Sequence, residues 1–367
     1  MRTASTLTLF VMAITSACVR PEQMLFETPP GTRPRFAVDG DGLHLALYYA
    51  DVQGTVFYQP LEPDGQKRGT PVAIIHGLAG DPVMSCAARE TALVVGVYDA
   101  SDRTIRLAQS RDKGTSWRVG VVNGVPEPRG PHRLVFVGED LLLVYSAGDA
   151  GAVMQSVVDL QQEPVTVRNV RVVDDDATSR GGEYLSVHTV ADTVVLVYSG
   201  AYDGPGRGRS LVTATIRAGS TTNAEAEVVR VDGPACSVGN HAAAAVSDGK
   251  VFLLAADSAA VRLYRPAAGG TERITLAEAA SSGRVSASAL ASSGTGTSLV
   301  AAVQQWPVVT TYHLAMDGLI DTKVIELDRR ATAEVPVSDL ELVKTRDGLM
   351  LVYFDPRLTR IRAVPAF

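Results

Sequence analysis

The chain is predicted to be all-β, a β-propeller of seven four-stranded blades, and three features of the sequence predict it. First, an apolar run between polar turns recurs seven times: "DGDGLHLALYYAD", "RETALVVGVYDASD", "GEDLLLVYSAGD", "ADTVVLVYSGAYD", "SDGKVFLLAADS", "GTGTSLVAAVQQ" and "TRDGLMLVYFDP". Second, five copies carry a tyrosine read as one equivalent position: Tyr49, Tyr98, Tyr145, Tyr198 and Tyr353. The first and last lie 304 residues apart over six intervals, about 51 apiece, which is the spacing of propeller blades. Third, no stretch holds an amphipathic helical period of useful length; "TLAEAAS" comes nearest and is short.

Each element follows from local composition. In the second copy "VMSCAA", "ALVVGVY", "TIRLAQ" and "SWRVGVV" read as four successive strands, rich in β-branched residues and bounded by Gly, Asp, Asn or Ser. The 33 glycines and 19 prolines suit a chain of many turns. Closing the sheets into a ring removes long exposed edges. The last unit offers only three strands, "DLELVKT", "LMLVYFD" and "RIRAVPA", so its fourth is expected from "EQMLFET" near the N-terminus. Six blades is the alternative, because the Ser- and Ala-rich sixth copy is the weakest.

The chain divides into residues 1–17, 18–35 and 36–367. The first segment reads as an export signal: Arg2, the apolar run "LTLFVMAI", then "TSAC". It resembles a bacterial lipoprotein signal, with Ser16, Ala17 and Cys18 fitting and Thr15 departing from the usual aliphatic residue. That resemblance implies lipidation at Cys18 and a membrane partner through the lipid anchor. Val19, where an aspartate would suggest retention at the inner membrane, points to the outer membrane. Residues 18–35 are then tether and closing strand, and 36–367 the single propeller domain.

Composition excludes several classes. Hydrophobic residues make up 46% and charged residues 20%, which is globular rather than disordered. With 34 basic and 40 acidic residues the formal charge is −6, and no Lys/Arg run exceeds two, so no nucleic-acid partner is expected. A monomer is expected. Cys86 and Cys236 lie in non-adjacent units and are read as free thiols, although export permits a disulfide. No Cys/His cluster suggests a metal, and no cofactor is expected.

Between the third and fourth strands of the second unit stands "SRDKGTSW". Its Ser110, Asp112, Gly114 and Trp117 match the Asp-box of sialidases and related propellers, with Ser116 in place of threonine. The physics is local: aspartate accepts N–H bonds from its own turn, glycine supplies a positive φ, and tryptophan fills the space between sheets. The resemblance implies a structural turn. Turns joining strands one to two and three to four share one face, and the box lies there, opposite the loops expected to carry function. The arginine triad and the Phe-Arg-Ile-Pro segment of working sialidases are not matched; the early region reads "TRPRFAVDG".

The working face is built by the blade crossings and by the turns between strands two and three. Its candidates are Arg129, His132, Arg180, Glu183, Tyr184, Arg207, Arg209, His241, Arg284 and Trp306. Aspartates at strand exits, such as Asp51, Asp99 and Asp149, read as turn caps. His132, His188 and His241 recur near the first strands of their units and read as packing or hydrogen-bonding groups rather than metal ligands. Two functional readings follow. One is a binding or scaffolding module at the cell envelope, for a glycan or an envelope protein. The other is a glycan-active hydrolase using Arg180, Glu183 and Asp339, since glycosidic chemistry needs paired carboxyls.

Overall fold

The computed structural model describes residues 23–27, 36–40, 45–80, 82–149, 151–174, 183–190, 193–201, 209–217, 227–231, 241–256, 260–267, 270–278, 285–292, 298–305, 308–315, 318–326, 340–345, 348–355 and 360–366. They form seven four-stranded antiparallel sheets, and among the described residues there is no helix. Blade I runs Phe36–Gly40, Leu45–Ala50, Val56–Leu61 and Val72–Ile75. Blade II runs Val83–Arg89, Ala92–Asp99, Thr104–Ser110 and Arg118–Val121. Blade III runs Pro128–Val137, Asp140–Ala147, Ala152–Asp159 and Thr166–Asp174. Blade IV runs Glu183–Val190, Thr193–Ala201, Arg209–Arg217 and Glu227–Arg230. Blade V runs His241–Ser247, Lys250–Ala256, Ala260–Ala267 and Gly270–Glu278. The weak sixth copy still makes a full blade VI, Val285–Ser292, Ser298–Gln305, Val308–Ala315 and Gly318–Glu326.

Blade VII has three strands from the C-terminal end, Leu340–Thr345, Gly348–Asp355 and Arg360–Pro365, and its outer strand is Gln23–Glu27. The N-terminal strand therefore closes the ring, pairing antiparallel with Arg360–Pro365. The first strand of each blade is innermost. Each packs on the first strand of the next blade, and Leu340–Thr345 packs back on Phe36–Gly40.

The core lies between blades. Leu141, Leu143 and Tyr145 of blade III pack on Val94, Ile105 and Leu107 of blade II, while Leu142 and Val144 pack on Leu196 and Tyr198 of blade IV. Strand alternation thus serves two interfaces at once. Tyr49, Tyr145, Tyr198 and Tyr353 are fully buried and occupy the same register place on their second strands. Tyr98 does not join them. The hairpin of blade II pairs Arg89 with Ala92, and that of blade III pairs Val137 with Asp140, so Val97 takes the place of Tyr145. Tyr98 sits one residue on, half-buried and turned toward blade III.

The 110–117 turn closes on itself. The Ser110 hydroxyl donates to Asp112 Oδ1 at 2.7 Å and accepts the Gly114 N–H at 2.8 Å. Asp112 accepts the Ser116 N–H at 2.9 Å and its hydroxyl at 2.6 Å. These bonds, first those from Ser116 and then that from Ser110, hold the Asp112 carboxyl down at about 2. Trp117 Nε1 donates to Gly114 O at 3.1 Å, and its ring lies against Tyr48 and Tyr58 of blade I. Gly114 has φ +86°, and a Cβ there would stand 2.4 Å from the Tyr58 ring, so both conformation and space demand glycine.

Candidate functional site

The turns between second and third strands and the crossings between blades share the face opposite the 110–117 turn. On blades I to III this face is held by its own side chains. Asp51 Oδ1 accepts the N–H groups of Gln53 and Thr55 at 3.0 and 2.8 Å, a turn cap as expected. Asp99 has no exposed surface; it accepts the Ser101 N–H and hydroxyl and pairs with Arg106 at 2.6 Å. Burial works to raise the Asp99 carboxyl, but the Ser101 bonds and the Arg106 charge outweigh it and hold the group below its usual range. Arg106 also donates to His76 O, which fastens the crossing from blade I. Arg129 donates to Asp149 O at 2.8 Å, with 3.8 Å to the Asp149 carboxylate, and joins the entry of blade III to its second turn.

His132, a candidate for the ligand face that also reads as a packing or hydrogen-bonding group, has its side chain wholly buried between blades II and III, which fits the packing reading and not a place on the ligand face. Nδ1 lies 3.0 Å from Gly130 O. A Cβ on Gly96 would stand 3.1 Å from His132 Nε2, so the small residue of blade II makes room for the large one of blade III. Burial, helped by neighbouring Arg133, lowers its pKa to about 4, and the ring is neutral at pH 7. The sequence carries the signal: "ALVVGVY" has a glycine where five of the other six copies have tyrosine, valine or leucine and one has alanine.

The other candidates divide by what is described. Arg180, Arg207, Arg284, Trp306 and Asp339 lie outside the described residues, as do Cys18 and Cys236. Glu183, Tyr184, Arg209 and His241 are placed by backbone only, at strand ends of blades IV and V. Cys86 is a free thiol. Among the described residues no group of His, Cys, Asp and Glu could hold a metal ion.

Register along the innermost strands brings together residues that the sequence left scattered. One level pairs with Tyr48, Gly96, Val144, Val197, Leu254, Ala302 and Val352 of the seven second strands. Its members are Ala37, Ser85, Arg133, Ser186, Ala243, Ala289 and Glu341. Five are alanine or serine. The two that are charged stand on blades III and VII, across the axis from one another. β-Bulges fall just before two of these residues, between Arg129 and His132 and between Glu183 and Ser186. Bulges at a strand end re-aim the side chains that follow.

Around this level the chemistry is polar. Arg133 Nη1 donates to His132 O at 3.0 Å, and among the described residues Arg133 has no ion-pair partner. Ser186 Oγ lies 2.7 Å from His188 Nε2. Burial first, then the charge of Arg133, lowers His188 to about 4. Burial pushes the Cys86 thiol well up, Asp39 and Glu341 add to it, and Arg133 opposes them. Cys86 thus senses charges from blades I, III and VII together.

The chain matches no known protein family, and no curated protein is similar to it in sequence. Its fold is similar to solved propellers. AofleA from Arthrobotrys oligospora aligns with a TM-score of 0.53 at 10% identity, over 84% of this chain and 90% of that one. The β-propeller domain of the Trilobed protease from Pyrococcus furiosus, described as having an open velcro topology, aligns at 0.51 and 11%, over 91% and 96%. A putative 6-phosphogluconolactonase from Bacteroides uniformis aligns at 0.52 and 14%, over 88% and 92%. At such identities the likeness is one of fold alone.

Proposed function

We propose that this chain is an exported, lipid-anchored propeller, monomeric, that serves as a binding module at the cell envelope, with Cys18 as the lipidated residue and the outer membrane as its place. The observation that carries the binding role is the contrast between rim and axis. The rim of blades I to III is fastened by Asp51, Asp99–Arg106 and Arg129–Asp149, while the axis inside it presents Arg133, whose guanidinium makes one hydrogen bond among the described residues. A rigid rim around unspent polar groups is the form of a preorganised binding site. The hydrogen-bond set of Ser110, Asp112, Gly114 and Ser116 supports reading the 110–117 turn as an Asp-box, and so a distant relation to sialidase-like, BNR-repeat propellers.

The test is a screen of the full chain, recovered from membranes in mild detergent, against glycans and envelope proteins, with hydrolysis followed in the same wells. Saturable binding without turnover is expected. Turnover lost on Glu183→Gln or Asp339→Asn would replace this reading with the glycan-active hydrolase. Labelled fatty acid should enter the wild-type chain and not Cys18→Ala.

A further inference from the structure

The axial level of Arg133 and Glu341 has a composition that suits one kind of ligand. Three of its positions are alanine and two are serine, so five blades contribute at most a hydroxyl. Ser85 is buried to 4% exposure, and its hydroxyl has no hydrogen-bond partner among the described residues. Arg133, Ser186 and Glu341 stay partly exposed although they lie mid-strand in innermost strands, flanked by neighbouring blades and backed by outer strands. Solvent reaches such groups along the axis. Cys86, which packs against the core shared by blades I, II and VII, likewise keeps some accessible surface.

The charges at the axial level are ordered. On a ring of seven, blade III and blade VII stand three steps apart one way and four the other, which is as nearly opposite as seven blades allow. The cationic side is reinforced by Ser186 of blade IV, and the acidic side by Asp39 of blade I, two residues along its strand from Ala37. Glu341 and Asp39 have other interactions as well, and both carry negative charge near Cys86. A simple anion would meet Arg133 but also two carboxylates. A simple cation would meet the carboxylates but also Arg133. A molecule carrying both charges satisfies both walls, and the guanidinium fork suits its carboxylate.

We propose that the axial ring binds a small zwitterion of the α-amino-acid class, with its carboxylate on Arg133 and Ser186 and its ammonium toward Glu341. This deepens the binding-module reading and rests on it. Arg133 and Glu341 would be the residues that set specificity, and the alanines of blades V and VI the clearance for a short side chain.

The test uses the full chain in mild detergent and four probes: glycine, L-alanine, acetate and methylamine. Two readouts are followed, the melting temperature and the rate at which a small methanethiosulfonate modifies Cys86, scored on its own peptide by mass spectrometry. Glycine or L-alanine should raise the melting temperature and slow Cys86 modification saturably, and acetate and methylamine should do so at least tenfold less effectively. Arg133→Met and Glu341→Gln should each weaken amino-acid binding at least tenfold. Glu341→Gln keeps the side-chain shape, so its own melting temperature shows that the fold is intact. Acetate matching L-alanine, or Glu341→Gln binding as tightly as wild type, would overturn the zwitterion assignment. Failure of all four probes to protect Cys86 would overturn the site. Glycan or envelope-protein binding that survives in Arg133→Met would then leave the binding-module reading standing alone.

Discussion

The 110–117 turn and the axial ring are both polar clusters in the same propeller, and they use their polar groups in opposite ways. In the turn, Ser110, Asp112, Ser116 and the Trp117 N–H find their partners within eight residues of chain. On the axis, among the described residues, Ser85 has no hydrogen-bond partner and Arg133 donates one bond to a backbone carbonyl. A closed set of hydrogen bonds fixes a conformation and leaves nothing over for a ligand. An open set is stabilising only when something else completes it. The contrast identifies the turn as a fastening and the axis as the place to look for binding, although only the turn shows a recognisable motif.

The largest effect should come from unfastening the turn. Trp117→Ala removes a large ring held between Tyr48 and Tyr58 and should cost about 3 kcal/mol in denaturant unfolding. Gly114→Ala should also destabilise, since the added methyl meets the Tyr58 ring and the backbone sits at φ +86°. Trp117 and Cys86 both pack on the core shared by blades I, II and VII, but neither substituted residue stands on the axial level, so L-alanine protection of Cys86 should persist in whatever fraction remains folded. Loss of that protection in a folded Trp117→Ala protein would erase the contrast between the two regions.

The next effect belongs to the histidines beside the axis. His132 has a folded pKa near 4 against 6.5 for the free ring. Between those values the unfolded chain takes up a proton that the folded chain refuses, so stability rises with pH across the window and is lost as pH falls from about 6.5 toward 4. The difference corresponds to on the order of 3 kcal/mol for a ring buried as His132 is. His132→Gln should flatten this part of the curve of unfolding free energy against pH. Asp112 acts at lower pH with the same sign: its depressed carboxyl stabilises above the unfolded value of about 3.9, and that contribution is lost as pH falls toward about 2. A curve with no slope between pH 6.5 and 4 would contradict the burial of His132.

How far each region was legible in the sequence follows from the range of its interactions. The blades were legible because a recurring apolar run needs only local pattern, and even the closing strand followed from counting three strands where four were required. The turn was legible because its bonds span eight residues. "VVGVYD" and "LLVYSA" look alike, but behind hairpins of equal length Tyr98 stands six residues after Ala92 and Tyr145 five after Asp140, so the two tyrosines fall one place apart. The axial ring was not legible at all. Its residues lie as far apart as Ala37 and Glu341, and their level depends on hairpin lengths and on bulges before His132 and Ser186, none of which shows in the alternation of apolar residues.

The smallest expected effect is the most discriminating. Arg133→Met keeps an unbranched apolar stem and removes a guanidinium that, among the described residues, makes one hydrogen bond to a backbone carbonyl. If the axis is kept open for a ligand, the fold loses only that bond, about 1 kcal/mol or less in denaturant unfolding. The same change should raise the His188 pKa from about 4, because the Arg133 charge is one of the two influences holding it down, burial being the larger. An imidazole titration followed by NMR would show that rise. A cost of several kcal/mol, as in Trp117→Ala, would instead mean that the Arg133 charge is part of the packing, and that turn and axis are fastened in the same way.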